Sequence, residues 1–473
     1  MSRPKSLPLR ALTRIACLGW ASLLGCQSLH SALPSRPFQF LAKPCASELA
    51  GADAICGTVD VPENYAVPFG RRIQLGVVVF TALEPGPESA AQFDIEGGPG
   101  FAVTESASFY AADGVEYRRH RDVVLTDMRG AGSSHALRCP ALEDYQRASA
   151  LAPLYPPELI AACAAALASV ADVRQYTTAA AARDLDSVRQ ALGYRQIDLN
   201  ALSYGTTLAL RYIADYPERV RTAVLTATVP ADRTPPRFHA SAADRAIHLL
   251  FDACAADSAC AAQYPDLPAE LSRATARLDS ADRAPFLERI RTMLYLPRAA
   301  RRVPSVIRQI AAGNLDIMET KSPGRRDFAD GLYLSVTCSE SLARMDVEQA
   351  IRESDQTTFG SYRLTRQRDA CARWPTAAAD LELFATPRWD GPILFISGAL
   401  DPVAPPEWSA ETVQRFPNGK HVVVPQGAHV LEGLSGFETC MDPLVLKFVA
   451  QRSVAGIDWS CIPTMDAGPF AVP

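Results

Sequence analysis

A serine in "LNALSYGTTLALRY" (residues 199–212), an aspartate in "SGALDPVAPP" and a histidine in "QGAHV" are the residue types of nucleophilic catalysis. They occur in the order Ser203, Asp401, His429. A serine hydroxyl is a poor nucleophile until a base takes its proton, and neutral histidine suits that task near pH 7. An aspartate behind the histidine would fix its tautomer and stabilise the imidazolium formed on attack. The tetrahedral intermediate then needs N–H donors. Tyr204 N–H follows the serine at a helix start, and "EGGPGF" (96–101) offers a second backbone N–H at Gly98. Each residue also has a plainer reading alone. Ser203 could cap a helix, Asp401 before proline could form a turn, His429 could be a loop residue, and GGPG could be a simple turn.

Those side chains act together only if separate elements bring them to one edge of a sheet. Apolar runs at 72–80, 92–97, 121–128, 196–202, 222–229, 392–398 and 421–427 read as strands. Helical patterns such as "TTAAAARDLDSVRQALGY" and "TTLALRYIADYPERV" lie between them, so the reading is a mostly parallel α/β sheet with helices on both faces. Ser203, Asp401 and His429 each follow a strand's carboxyl end, where sites of open α/β sheets gather. Ser203 occupies a strand-to-helix elbow, with Ala201 where G-x-S-x-G has its first glycine and Gly205 at the second. From 230 to 385 the pattern turns almost wholly helical, as an inserted cap would. The expected organisation is a first core part over 40–229, a helical cap over 230–385, and a second core part over 386–473.

The stretches "GGPG", "LTDMRGAGSS" (125–134) and "LSYGTTLALRYIADYPERV" resemble the proline-iminopeptidase and tripeptidyl-aminopeptidase branch of the α/β-hydrolases. Asp127, Arg129, Gly130, Gly132 and Ser134 match that branch's D-x-R-G-x-G-x-S element. "CGTVDVPENYAVP" (56–68) is similar to the opening of the tripeptidyl-aminopeptidase group, and "GPILFISGALDPVAPPEWS" through "SVAGIDWSCI" resembles its C-terminal segment. The likeness covers roughly 45–463, with the cap matched mainly by "CAADSAC" and "VTCSE". It implies an α/β-hydrolase fold with the chain order Ser203, Asp401, His429, and a serine exopeptidase acting on peptide N-termini. Glu96 stands where proline iminopeptidases carry histidine, so strict proline specificity is not implied, and Arg129 is the expected partner of Glu96. Relatives that select a free N-terminus use carboxylates from the cap, which makes Glu340 of "VTCSE" the candidate for the substrate amine. A carboxylesterase or lipase using the same triad, and a non-catalytic relative, are the alternatives.

The N-terminus points to export. Arg3, Lys5, Arg10 and Arg14 precede the apolar run "IACLGWASLLG" (15–25), and the first acid is Glu48. That run is too short for a membrane span and fits a signal peptide over 1–26. Its end resembles a bacterial lipobox, with Cys26 as the lipidated residue, which places the chain in the cell envelope or outside it. Twelve cysteines less Cys17 and Cys26 leave ten. They fall in neighbouring couples: Cys45 and Cys56, Cys139 and Cys163, Cys254 and Cys260, Cys338 and Cys371, Cys440 and Cys461. Spacing does not fix connectivity, and five sequential bridges are the simplest scheme for an exported chain. Zinc-type spacing is lacking, and no metal or organic cofactor is implied. A net charge of −5 gives no basic footprint for nucleic acid. The expected partners are a peptide substrate and, through a lipid, a membrane; oligomeric state is not legible.

Overall fold

Nine strands form one sheet in the order β1-β2-β3-β5-β4-β6-β7-β8-β9. They are β1 (Phe40–Lys43), β2 (Ala54–Pro62), β3 (Arg72–Phe80), β4 (Ala91–Ile95), β5 (Asp122–Thr126), β6 (Ile197–Leu202), β7 (Val220–Thr226), β8 (Ile393–Gly398) and β9 (Gly419–Val424). The computed structural model describes residues 38–472 apart from 50, 87–89, 150, 316, 318–327 and 379–384. The expected signal segment and Cys26 lie outside the described residues. Strands β5, β4, β6, β7, β8 and β9 run parallel, while β1, β2 and β3 join antiparallel. The central strands read as unbroken apolar runs because helices cover both faces; all six residues of β8 are buried. The sequence reading missed β1 and β2. β1 is short and mostly exposed, and β2 mixes Cys, Gly, Thr and Asp into its pattern.

Helix α1 (Thr178–Leu192) starts with Thr177 accepting from Ala180 N–H and ends on Gly193 in left-handed geometry. Helix α2 (Tyr204–Asp215) follows β6 without a loop. Between β7 and β8 come α3 (Pro235–Ala256), α4 (Leu267–Arg277), α5 (Ser280–Met293), α6 (Val303–Ala311), α7 (Asp330–Val336), α8 (Val347–Ser354) and α9 (Tyr362–Cys371). Helices α3, α4, α5 and α6 pack around their own apolar cluster of Ile247, Leu250, Phe286, Ile290 and Ile307. The rest of the insertion behaves differently. Leu332, Leu334, Val336, Ala370 and Trp374 join the cluster beneath the sheet, so this part of the insertion belongs to the core by packing.

The connectivity that spacing left open is sequential. Cys45 stands 2.00 Å from Cys56 between their sulfurs, and Cys139 stands 1.94 Å from Cys163. In the insertion, Cys254 lies 1.93 Å from Cys260 and Cys338 lies 1.95 Å from Cys371. Near the end of the chain, Cys440 and Cys461 are 2.06 Å apart. All five are disulfide distances. Among the described residues, no helix is long and apolar enough to cross a membrane.

Candidate active site

The elbow after β6 puts Ser203 in a conformation that ordinary side chains avoid, with φ 57° and ψ −126°. Its side chain makes no capping bond to α2. Its Oγ lies 2.9 Å from His429 Nε2 instead. The helix-cap reading of Ser203 therefore fails. Close packing explains how the elbow is held. A Cβ on Gly205 would lie 2.4 Å from the Ile95 carbonyl oxygen, so the helix passes too near β4 for any side chain there. At 201 a methyl is accommodated: Ala201 is buried between β4 and β7, paired with Ile95 and Leu225.

Asp401 sits just past β8 and His429 past β9. The carboxylate is fully buried and accepts the N–H groups of Val403 at 2.7 Å and Ala404 at 2.9 Å, which fixes its plane. His429 Nδ1 lies 3.0 and 2.9 Å from its two oxygens. A carboxylate there requires the proton on Nδ1, which leaves Nε2 as the acceptor facing the Ser203 hydroxyl. The insertion between β7 and β8 contacts the histidine: Tyr295 lies edge-on to the ring at 5.0 Å, and its carbonyl accepts Val430 N–H at 3.0 Å.

Tyr204 follows the serine in the chain, and the GGPG loop lies against the serine through Gly97. A Cβ on neighbouring Gly97 would come within 2.9 Å of Ser203 Cβ, and Gly98 has φ 111°, which favours glycine. Tyr204 is the first residue of α2, whose opening N–H groups have no acceptor within the helix. The segment just before α7 also holds this loop, since Ala329 N–H donates to Gly100 O at 3.0 Å and Phe101 meets Phe328 edge-on at 4.9 Å.

The D-x-R-G-x-G-x-S element is a clamp beneath the site. Buried Asp127 accepts from Thr104 and Ser133, through both the N–H and the hydroxyl of each, which ties the segment after GGPG to the turn. Ser134 Oγ bridges Gly76 N–H and Asp127 O. The expected pairing of Arg129 with Glu96 is wrong. Arg129 is fully buried against Asp184 of α1, at 2.6 and 2.7 Å, and its other donors reach the carbonyls of Pro62, Glu63 and Gln175. A guanidinium with five donors already satisfied by one carboxylate and three carbonyls has none to spare for Glu96.

Glu340 is buried, and both its oxygens are engaged. One accepts Thr178 N–H at 2.7 Å and the other accepts the Thr178 hydroxyl. With that proton committed, Thr178 Oγ1 accepts from the Tyr204 hydroxyl at 2.7 Å. Desolvation holds the Glu340 carboxyl above its ordinary range, with the Thr178 bonds opposing it. Desolvation and then the nearby Glu340 push the Tyr204 hydroxyl well above its usual value, so it stays a donor. A substrate ammonium would have to compete with Thr178 for this carboxylate. Thr178 and Tyr295, both in contact with site residues, escaped the sequence reading, because nothing in their local pattern separates them from ordinary helix residues. The described residues hold no cluster of three or more metal-binding side chains.

A parallel sheet with a serine on its elbow and acid and base beyond later strands defines the α/β-hydrolase architecture. Residues 95–316 match the family model described as "alpha/beta hydrolase fold", and 355–461 match the one described as "TAP-like protein". The chain is 24% identical to the tripeptidyl aminopeptidase of Streptomyces coelicolor over 459 residues, covering 86% of this chain and 83% of that protein. It is 26% identical to carboxylesterase B of Mycobacterium tuberculosis over 473 residues, covering 87% and 86%. Among solved structures, a proline iminopeptidase of Mycobacterium smegmatis aligns with 85% of this chain and 100% of its own, at 17% identity and a TM-score of 0.44. The chain belongs to the α/β-hydrolase family of serine hydrolases, in its tripeptidyl-aminopeptidase-like branch.

Proposed function

We propose that the protein is an exported serine exopeptidase that cleaves peptide bonds near the free N-terminus of peptides. Ser203 Oγ attacks the scissile carbonyl while His429 Nε2 takes its proton, and Asp401 holds the imidazolium. Gly98 N–H and Tyr204 N–H receive the oxyanion. His429 then returns the proton to the leaving amine, and water hydrolyses the acyl-enzyme by the same route. Glu340 serves this reaction as a positioning residue, holding Thr178 and through it Tyr204.

The observation that carries the reading is the unbroken chain from Ser203 through His429 to Asp401, with spacings of 2.9 to 3.0 Å. Peptides are favoured as substrates by the likeness to a tripeptidyl aminopeptidase along most of the chain. An ester substrate is the second reading, favoured by the comparable likeness to a carboxylesterase. Export is supported by the basic and apolar N-terminal sequence and by five cysteine pairs at disulfide distance, since such bonds persist in oxidising compartments. A panel of free-amine and acetylated aminoacyl and tripeptidyl amides, run beside simple esters, tests it. Hydrolysis of free-amine amides is expected, and Ser203→Ala should lower it on the order of 10⁴-fold. Turnover of esters alone would replace the peptidase reading with the esterase one.

A further inference from the structure

His429 stands on an irregular stretch, residues 425–434, that follows β9 with neither helix nor strand of its own. The sheet side fastens it at Gly427, whose carbonyl accepts Leu400 N–H at 2.9 Å, and just beyond it Ser435 bridges Asp466. Among the described residues, the one backbone-to-backbone hydrogen bond made by residues 428–430 is Val430 N–H to Tyr295 O, at 3.0 Å. Two more side chains of the same part of the insertion extend the grip. Arg298 donates Nε–H to Gly433 O at 2.7 Å, and Arg301 donates an Nη2 hydrogen to Gln426 Oε1 at 2.6 Å. Residues 295–301 thus meet the histidine's loop before, at and after the base.

Tyr295 is the residue of that stretch that meets the imidazole itself. Bonds to Asp401 and Ser203 hold the imidazole at Nδ1 and Nε2 but leave it free to rock about the line joining the two nitrogens. A third contact is needed to fix its tilt, as a supporting shell does for any catalytic side chain. The tyrosine ring provides one, with centroids 5.0 Å apart and planes at 72°. The tyrosine is itself held. Its hydroxyl accepts an Nη1 hydrogen from Arg291 at 2.9 Å, and that guanidinium lies over the ring at 5.2 Å. Arg291 of α5 is buried and donates twice to Glu288, at 2.9 and 2.6 Å. Glu288 also accepts from Arg363 of α9 at 2.5 Å.

We infer that Tyr295 is a positioning residue for His429: its ring sets the tilt of the imidazole, and its carbonyl, with Arg298, sets the loop that carries it. A catalytic group misplaced by about 1 Å can cost on the order of 10²-fold in rate, so this support belongs to catalysis as well as to stability. The inference rests on the hydrolase reading above and adds to it a residue of the insertion on which the base depends.

Tyr295→Leu removes the ring while keeping apolar bulk and the backbone carbonyl, and Tyr295→Phe keeps the ring. A small fluorophosphonate reports on the base directly, since its reaction with Ser203 requires the serine proton to leave and needs no particular peptide. Tyr295→Leu should lower the rate constant of phosphonylation about tenfold, and kcat alike with KM within about twofold, while Tyr295→Phe stays within about threefold of wild type. Wild-type rates in Tyr295→Leu, a loss confined to KM, or equal losses in the two variants overturn the inference. Should Tyr295→Leu fail to fold, judged by its thermal transition, Arg298→Gln decides. Residue 298 is exposed, and loss of its tie to Gly433 should slow phosphonylation by about threefold; an unchanged rate overturns the inference. A wild type that resists labelling removes the hydrolase reading and this inference with it, whereas a labelled wild type matched by Tyr295→Leu removes the inference alone.

Discussion

Glu340 is a buried carboxylate whose two oxygens already hold the N–H and hydroxyl of Thr178, and that decides what its removal should do. A glutamine there keeps one acceptor but turns an NH₂ group toward a second donor. Thr178 then loses the partner that fixes its hydroxyl, and Tyr204, beside the nucleophile, loses its acceptor. Glu340→Gln should lower kcat about tenfold on free-amine peptides and amine-free esters alike, with KM little changed, the scale of a lost charged hydrogen bond. A loss confined to free-amine substrates would restore the amine-binding role that the sequence suggested. His239 governs a second residue-scale effect. Its folded pKa lies well below the ordinary 6.5, so below that pH the unfolded chain binds a proton that the folded chain refuses. Its contribution to stability is present above pH 6.5 and lost as pH falls, by up to about 1.4 kcal/mol per pH unit. Asp94, Asp127 and Glu340, raised mainly by desolvation, act with the opposite sign, losing stability as pH rises through their folded values. Comparing wild type with His239→Asn isolates the histidine. Unfolding free energies of the two should converge from pH 7 to pH 5; parallel curves would mean that His239 takes up its proton equally in the folded and unfolded states.

At the scale of elements, the bridge from Cys338 to Cys371 joins the segment bearing Glu340 to helix α9, which bears Arg363. It closes a loop 33 residues apart in sequence, longer than those closed by Cys45 with Cys56, Cys139 with Cys163, Cys254 with Cys260 or Cys440 with Cys461. Chain entropy gives such a closure about 3–4 kcal/mol, the mechanism being model-dependent. Replacing both Cys338 and Cys371 with serine should lower unfolding stability by that amount, read from the denaturant midpoint, and an unchanged midpoint would deny the bridge a stabilising part. The seven strands that position the triad were legible because a parallel, doubly covered sheet demands continuous apolar runs, as in "ILFISG" of β8. β1 and β2 were not: β1 is a short, mostly exposed edge strand, and β2, between β1 and β3, breaks its apolar pattern with Cys, Gly, Thr and Asp. The order Ser203, Asp401, His429 was visible since each residue ends a strong strand signal. Thr178 and Tyr295 were invisible for the reverse reason. They meet the site across sequence gaps that no local periodicity encodes, and the same blindness paired Arg129 with Glu96 in place of Asp184.

For the whole molecule the open quantity is where the enzyme is held. Among the described residues, no helix is long and apolar enough to cross a membrane. The stretch Leu23-Leu24-Gly25-Cys26 at the end of the apolar run supplies a thiol where a lipid could be added. Each buried methylene contributes about 0.8 kcal/mol, and a single acyl chain gives only marginal binding, so stable anchoring needs more than one chain. A net charge of −5 works against adhesion to an anionic leaflet. Cys26→Ser should therefore move the protein from the membrane fraction to the soluble fraction of fractionated bacterial cells. Hydrolysis per molecule should be unchanged, because residue 26 lies far in sequence from every side chain assigned to the site. If wild type and Cys26→Ser distribute alike between membrane and soluble fractions, Cys26 carries no anchor and the N-terminal run serves as a secretory signal alone.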